Sequence, residues 1–403
     1  MAAIYLAPFY LLVCVYILLR SLHWFQVLHT VFRNVWVCRG IGLVYLFVVF
    51  SILIAFMAPA SGFRRFMKLL SNYWLGVLMY TLMTLGIADG LRLLLKYPLR
   101  NFAFPGRELL FSNMGTAVVG AVCAVIISTV SIYGVLSAGN IHTTKYNISV
   151  DKKAGNMKEL NVVLAADLHL GYNIGCKQME QMTEKINEQK PDLVVMAGDI
   201  FDNEYEAVQA LDDPEKLAKI LRGIRSKYGV YACYGNHDIQ EKILAGFTFG
   251  SKEKKESTPE MDEFLEKAGI TLLRDEYVLI DDSFYLYGRP DYERPGRGID
   301  KRKTPQEITE GMDVSLPVLV IDHEPRELQE LADTGVDVDF CGHTHDGQVF
   351  PGNIVIRFFW ENPCGYLKKG NMHNIVTSGV GLFGPNMRVG TKSEICDVSI
   401  CFN

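Results

Sequence analysis

Four long apolar runs, at 4–19, 41–58, 73–95 and 114–136, fill the first third of this chain and constrain its fold more than any other feature. Each approaches or exceeds the ~17 to 25 residues that cross a ~30 Å hydrocarbon core. Four transmembrane helices are therefore expected within residues 1–139. The first run is short and carries Pro8, so a cleaved signal peptide competes for it. Against that reading, no Lys or Arg precedes the run and no clear small-x-small site follows it.

The flanking charges orient the runs. Arg20, Arg33 and Arg39 follow the first, and Arg92, Lys96, Arg100 and Arg107 surround the third connection, against Arg64, Arg65 and Lys68 in the second. A cytoplasmic excess of Lys and Arg puts the first and third connections inside and both termini outside. A multi-pass plasma-membrane protein with an extracytoplasmic C-terminal domain is the expectation, although Lys145, Lys152, Lys153 and Lys158 pull the other way. Asp89, near the end of the third run, is expected to pair with Arg92 at helical spacing.

Net charge divides the chain in the same place. Residues 1–140 hold ten Lys/Arg and two Asp/Glu, and the remainder holds 30 and 43, so the overall −5 hides a basic apolar part and an acidic soluble part. An acidic soluble part argues against nucleic acid as a partner. The nine cysteines form no Cys-x-x-Cys pair. Cys233 and Cys341 fall in expected buried strands as small apolar residues, and Cys396 and Cys401 face opposite sides of one strand and should not pair.

Residues 140–158 turn polar and read as a linker of about 20 residues with an entering edge strand. Beyond them, short β-branched runs at 160–166, 193–197, 230–234, 318–321 and 336–340 read as buried strands. Helical patterns lie between: Met179, Met182 and Ile186; Leu217, Ile220, Leu221 and Ile224 after Asp213-Pro214; 259–268; and Leu328 with Leu331 after Pro325. The charges of 252–256 read as a solvated loop. Runs at 375–378, 388–389 and 395–402 suggest strands closing a second sheet. The expected class is α/β: transmembrane helices over 1–139, linker and strand over 140–158, and a two-sheet α/β sandwich over 159–403.

Each motif ends such an apolar run: Asp167-Leu168-His169, Gly198-Asp199-Ile200-Phe201-Asp202, Gly235-Asn236-His237-Asp238, His323-Glu324-Pro325 and Cys341-Gly342-His343-Thr344-His345. Ligands gather beyond the C-terminal ends of strands in α/β layers. In this order the five blocks resemble the signatures of the calcineurin-like metallophosphoesterase superfamily. The resemblance implies two divalent metals, Mn, Fe or Zn, with Asp199 bridging, Asp167, His169 and His345 on the first ion, and Asn236, His323 and His343 on the second. It also implies that His237 protonates the leaving oxygen or stabilises its charge, with Asp238 holding its imidazole. Asp202 reads either as a hydrogen-bond partner of a ligand histidine or as a loop cap.

Asp202-Asn203-Glu204 and Asp238 depart from the protein-phosphatase branch. The Gly-His-Thr-His-Asp-Gly-Gln block and the tail 379–388 look more like bacterial membrane-associated phosphoesterases related to lipid-sugar pyrophosphate hydrolases. Arg388, in that tail, reads as a phosphate contact or a surface salt-bridge residue. The resemblance implies a phosphomono- or phosphodiesterase, and the four spans with their short linker point to a lipid-linked substrate whose acyl part Phe247, Phe249, Phe358, Phe359 and Trp360 would meet. A nucleotide or cyclic-nucleotide phosphodiesterase is the alternative enzyme, and an inactive metal-binding membrane sensor the alternative from another class.

Overall fold

The computed structural model describes residues 2–99, 106–211, 214–241, 243–244, 247–248 and 256–403, with the backbone alone at 2–4, 210–211, 243–244 and 247–248. Arg100, Asp213, Phe249, residues 252–255 and the side chain of Phe247 lie outside the described residues.

The chain opens with α1 (Ala2–Leu28), α2 (Val35–Met57), α3 (Gly62–Lys96), a single-turn α4 (Arg107–Leu110) and α5 (Asn113–Ala138). All but α4 are long and apolar enough to cross a membrane. Side-chain oxygens of Asn34, Ser61 and Ser112 accept backbone N–H groups at the starts of α2, α3 and α5. α3 starts at Gly62 rather than near Tyr73, because Arg64, Arg65, Lys68 and Asn72 break up an apolar signal whose helix continues beneath them. Asp89 does not pair with Arg92. Its carboxylate takes Arg20 of α1 at 2.6 Å and the Tyr16 hydroxyl at 2.8 Å, while Arg92 donates to Thr116 of α5. Packing between helices offered a closer partner than spacing along one.

Two six-stranded sheets form the rest. The first has the order β1 (Ile141–Val150), β14 (Ser393–Phe402), β2 (Glu159–Ala165), β3 (Leu193–Ala197), β4 (Val230–Cys233) and β7 (Ile270–Leu272). The second has β12 (Gly365–Lys369), β13 (Met372–Val376), β11 (Val338–Cys341), β10 (Val318–Asp322), β9 (Phe284–Arg289) and β8 (Glu276–Ile280). β14–β2, β12–β13 and β8–β9 pair antiparallel and the other neighbours parallel. A separate hairpin of β5 (Ile243–Leu244) and β6 (Phe247–Thr248) lies against α2 and α1.

Parallel strands buried on both faces carry continuous apolar runs, and β3 and β10 are buried throughout. Leu160, Val162 and Leu164 of one sheet meet Leu319, Ile321 and Phe340 of the other to fill the sandwich. On the outer faces, α6 (Cys176–Glu188), α8 (Pro214–Leu221) and α9 (Pro259–Lys267) cover the first sheet. The single-turn α10 (Pro305–Ile308) and α11 (Leu328–Asp333) cover the second. α7 (Tyr205–Leu211) follows the second motif, and α12 (Gly352–Val355) follows the last. The run at 388–389 forms no strand; Val389 makes one bridge to Val349. The alternation of β8 with β9, a hairpin of exposed and buried residues, was not read from the sequence.

The segment expected as linker holds almost no slack, since β1 begins at Ile141 while α5 ends at Ala138. The apolar helices are also fastened to the sandwich. The Arg64 guanidinium, buried in the first turn of α3, pairs with Glu204 at 2.5 Å, and Arg64 and Lys68 both lie over the Tyr172 ring. Further along α3, Asn72 O accepts from Asn386 N–H and the Tyr80 hydroxyl donates to Phe350 O. Gly134 of α5 accepts from Arg388 N–H, and a methyl group there would meet Val389 at 2.8 Å.

Candidate metal centre

All five motif turns gather at one end of the sandwich, where parallel strands release the chain together. The turns are tight enough to force Asp167, His169, Asp199, His343 and His345 to positive φ. Non-glycine residues held there cost roughly 1 to 3 kcal/mol each and persist only where the surroundings over-determine them. Glycine supplies the clearance: at Gly198, φ +77°, an added Cβ would come within 2.5 Å of the His323 ring, and at Gly379 within 2.7 Å of Asp167.

Besides a trio of His169, Asp202 and His237, two groups of side chains result. In one, Asp167, His169 and His345 bring their ligand atoms together, with the Nε2 atoms of His169 and His345 3.0 Å apart. In the other, Asp199, His323 and His343 converge. His323 Nδ1 donates to Ala197 O at 2.8 Å, which turns Nε2 towards Asn236 Oδ1 at 3.0 Å and His343 Nδ1 at 3.1 Å. His343 Nδ1 is itself 3.0 Å from Asn236 Oδ1. Lone pairs meeting so closely need a positive charge between them. Asp199 reaches both groups, its Oδ2 lying 3.2 Å from His323 Nε2 and 3.8 Å from His169 Nε2.

The titrating groups report the same demand. Burial opposes charge on His323, but Asp199 outweighs it and lifts the imidazole well above its usual range. Asp199, despite burial, is held well below the carboxylate range by His323 and its neighbours. Asp167, fully buried, is pushed up to about 6 chiefly by desolvation. A proton shared between imidazole and carboxylate occupies the place that suits a divalent ion. The donor set of Asp, Asn and His fits such ions, and the residues present fit a pair of them.

Asp202 and Asp238 take different places from each other. Asp202 Oδ1 lies 3.6 Å from His169 Nδ1, the orienting contact that a ligand histidine commonly receives. Asp238 does not hold the His237 imidazole. Its carboxylate is occupied by the N–H groups of Phe201 at 2.8 Å and Gly235 at 2.7 Å, and burial with the charge of Asp199 pushes it up to about 7. Neighbours along a tight turn point apart, so the residue beside His237 in sequence braces the backbone instead. Asn203 does what Asp238 was expected to do: its Oδ1 meets His237 Nδ1, and its N–H donates to His237 O. Asn203 stood in the tripeptide that separates this chain from the phosphatase branch, yet nothing in its spacing linked it to His237.

His237 packs edge-on to His169, ring centroids 5.1 Å apart, and against Phe383 at 4.5 Å. Burial pulls its imidazole down to about 4, against the Asp199 carboxylate, so it is neutral near pH 7 in the absence of a bound anion. The backbone N–H of His237 donates to Asp199 Oδ1 at 2.7 Å. Arg388 fits neither sequence reading. It is fully buried and donates to the carbonyls of Ser378, Gly381 and His345, lacing the last loop to the final motif.

Beside His343 opens a groove of about 630 Å³ lined by Tyr292, Arg326, Ile356, Phe359 and Trp360. Trp360 meets the His343 ring at 5.1 Å, and the Arg326 guanidinium lies over Trp360 at 4.9 Å. Phe358 and Phe359 are 81% and 75% exposed, an unusual degree for phenylalanine.

Among known proteins, the family model described as calcineurin-like phosphoesterase matches residues 160–347. A transmembrane protein with metallophosphoesterase domain from Danio rerio is 28% identical, over 69% of this chain and 62% of its own. An uncharacterized metallophosphoesterase of Campylobacter jejuni is 27% identical, over 87% of this chain and 89% of its own. The UDP-2,3-diacylglucosamine pyrophosphatase LpxG of Chlamydia trachomatis is 23% identical, over 52% of this chain and 70% of its own. The chain spans under two thirds of the length of the Danio rerio and Bos taurus transmembrane relatives.

Proposed function

We propose that the chain, whose residues 160–347 match the calcineurin-like phosphoesterase model, is a membrane-anchored hydrolase of phosphate esters working with two divalent metal ions. The observation that carries this reading is Asp199, whose Oδ2 faces one histidine group at 3.2 Å and the other at 3.8 Å. Asp167, His169 and His345 would hold one ion and Asn236, His323 and His343 the other. When bound, the ions would activate water and neutralise phosphoryl charge. His237, aimed by Asn203 through Nδ1, gains a proton as the phosphate brings negative charge and passes it to the leaving oxygen. Manganese, iron and zinc all suit this donor set.

The substrate class we propose is a phosphoester or pyrophosphate on a lipid. Three observations support it: the four apolar helices fastened to the sandwich, the aromatic groove with Arg326 beside His343, and the exposed Phe358 and Phe359. The LpxG relative acts on a diacylated sugar nucleotide, as its name states. The test is a metal-reconstituted screen of the full chain in lipid nanodiscs. Cleavage of lipid-linked phosphoesters should exceed that of soluble diesters and nucleotides by about tenfold, from effective concentration at the membrane. Faster turnover of nucleotides or cyclic nucleotides would favour the phosphodiesterase alternative, and inertness towards all would favour a sensor.

Charge asymmetry supports four spans in the plasma membrane with the catalytic domain extracytoplasmic. Cys401 is exposed whereas Cys396 is buried, so an impermeant maleimide added to intact cells should label Cys401 and spare Arg33→Cys in the first connection. The reverse pattern would place the domain in the cytoplasm.

A further inference from the structure

At the end of the helix bundle away from the sandwich, α1, α3 and the short α4 enclose a cleft of about 490 Å³ lined by Arg20, His23, Asp89, Arg92, Lys96 and Arg107. Asp89 is the one carboxylate among the described lining residues, and it is engaged by Arg20 and the Tyr16 hydroxyl. Two further cations line the same mouth: the guanidinium groups of Arg92 and Arg107 both contact the Phe111 ring, at 5.5 and 5.6 Å, and Arg107 also donates to Leu99 O. Arg92 is fixed by a 3.1 Å bond to Thr116 Oγ1. A cleft whose lining holds several cations against one carboxylate favours an anion.

The cleft continues inward between α1, α3 and α5 into a narrower cavity of about 130 Å³, whose walls include Leu85, Val119, Cys123 and Ile127. A basic mouth above an apolar recess matches an amphiphile with an anionic head. Its depth fits as well. Tyr80 is the last residue of α3 with a described bond to the sandwich, and Lys96 ends the helix about 24 Å further on at 1.5 Å per residue, close to one hydrocarbon thickness. Basic pockets between spans at that level receive lipid headgroups.

We infer that this cleft is a second binding site, separate from the metal centre, for the phosphate headgroup of an anionic phospholipid in the far leaflet. The inference needs the helices to cross a bilayer and needs nothing of the catalytic reading. Its failure and the failure of that reading are therefore distinguishable.

The test uses the full chain in nanodiscs of phosphatidylcholine with a minority of phosphatidylglycerol, followed by native mass spectrometry of retained lipid. Wild type should keep phosphatidylglycerol in preference to phosphatidylcholine. The double variant Arg92→Gln/Lys96→Gln should lose about tenfold in that retention, as expected for two charge-assisted contacts. Arg33→Gln/Arg39→Gln, at the same membrane face but outside the cleft, should not. Lys96→Gln alone, at the exposed helix end, covers the case in which the double variant misfolds, and retained metal content shows that the catalytic domain is intact. Equal retention by the cleft and control variants would assign the preference to diffuse leaflet charge and overturn the site. A cleft-dependent rise in melting temperature with inorganic phosphate alone, in detergent, equal to that with lipid would replace the lipid by a free phosphate.

Discussion

Asp199→Ala is expected to lower bound metal from two equivalents per chain to less than one, and turnover by about 10³-fold or more. Asp199 is the carboxylate that faces both histidine groups, so its removal strikes both ions at once. It also takes away the counter-charge that holds His323 above its usual range. The metals stabilise transition-state charge by several kcal/mol, and each 1.36 kcal/mol is tenfold in rate. The fold should persist, because β3, which delivers Asp199, is buried along its whole length among apolar neighbours on both faces. Elemental analysis of the purified full chain checks this, and two metal equivalents retained by the variant would refute the bridging role.

His237→Gln separates chemistry from metal binding. The imidazole meets His169 and Asp202 but belongs to neither group that would hold an ion, so both ions should remain, while kcat falls by about 10² to 10⁴, the range for a lost general acid. Glutamine can still hydrogen-bond but cannot transfer a proton. The loss should therefore shrink for an ester that leaves as p-nitrophenolate, which needs no protonation. A loss independent of the leaving group would remove His237 from proton transfer. Asn203→Ala should behave as a weaker copy, roughly 10- to 100-fold, the usual effect of an orienting partner, since it frees His237 Nδ1 without removing the ring.

The two-sheet sandwich was legible because parallel strands buried on both faces cannot avoid long apolar runs, and a histidine, asparagine or aspartate ended each run. The same density of signal located Asp167, His169, Asp199, Asn236, His323, His343 and His345, which the structure brings to one end of the sandwich. What could not be read were partners chosen across space. Asp238 was assigned to His237 by adjacency, and a turn sent its carboxylate to the backbone of Phe201 and Gly235. Asp89 was assigned to Arg92 by helical spacing, and Arg20 from another helix took it. Arg388 read as a surface or substrate cation because nothing in its surroundings disclosed the carbonyls of Ser378, Gly381 and His345 that surround it.

Arg64, buried in the first turn of α3, is joined to Glu204, the sequence neighbour of Asn203, which meets His237. With 35 residues, α3 is about 52 Å long at 1.5 Å per residue, well beyond a ~30 Å hydrocarbon core, and its first turns belong to the surface of the sandwich. Only Gly139 and Asn140 separate α5 from β1. The catalytic domain is consequently no ball on a string. Cut free at residue 141, it would lose the Arg64 partner of Glu204 and the helix cover over Met387, which packs beside Gly76 and Gly134, and would slacken the loop that aims His237. Kept whole, it stands at a set height and tilt on its membrane-length helices, so on the proposed lipid substrate the enzyme would work as a ruler, choosing by how far the phosphate projects from its anchor.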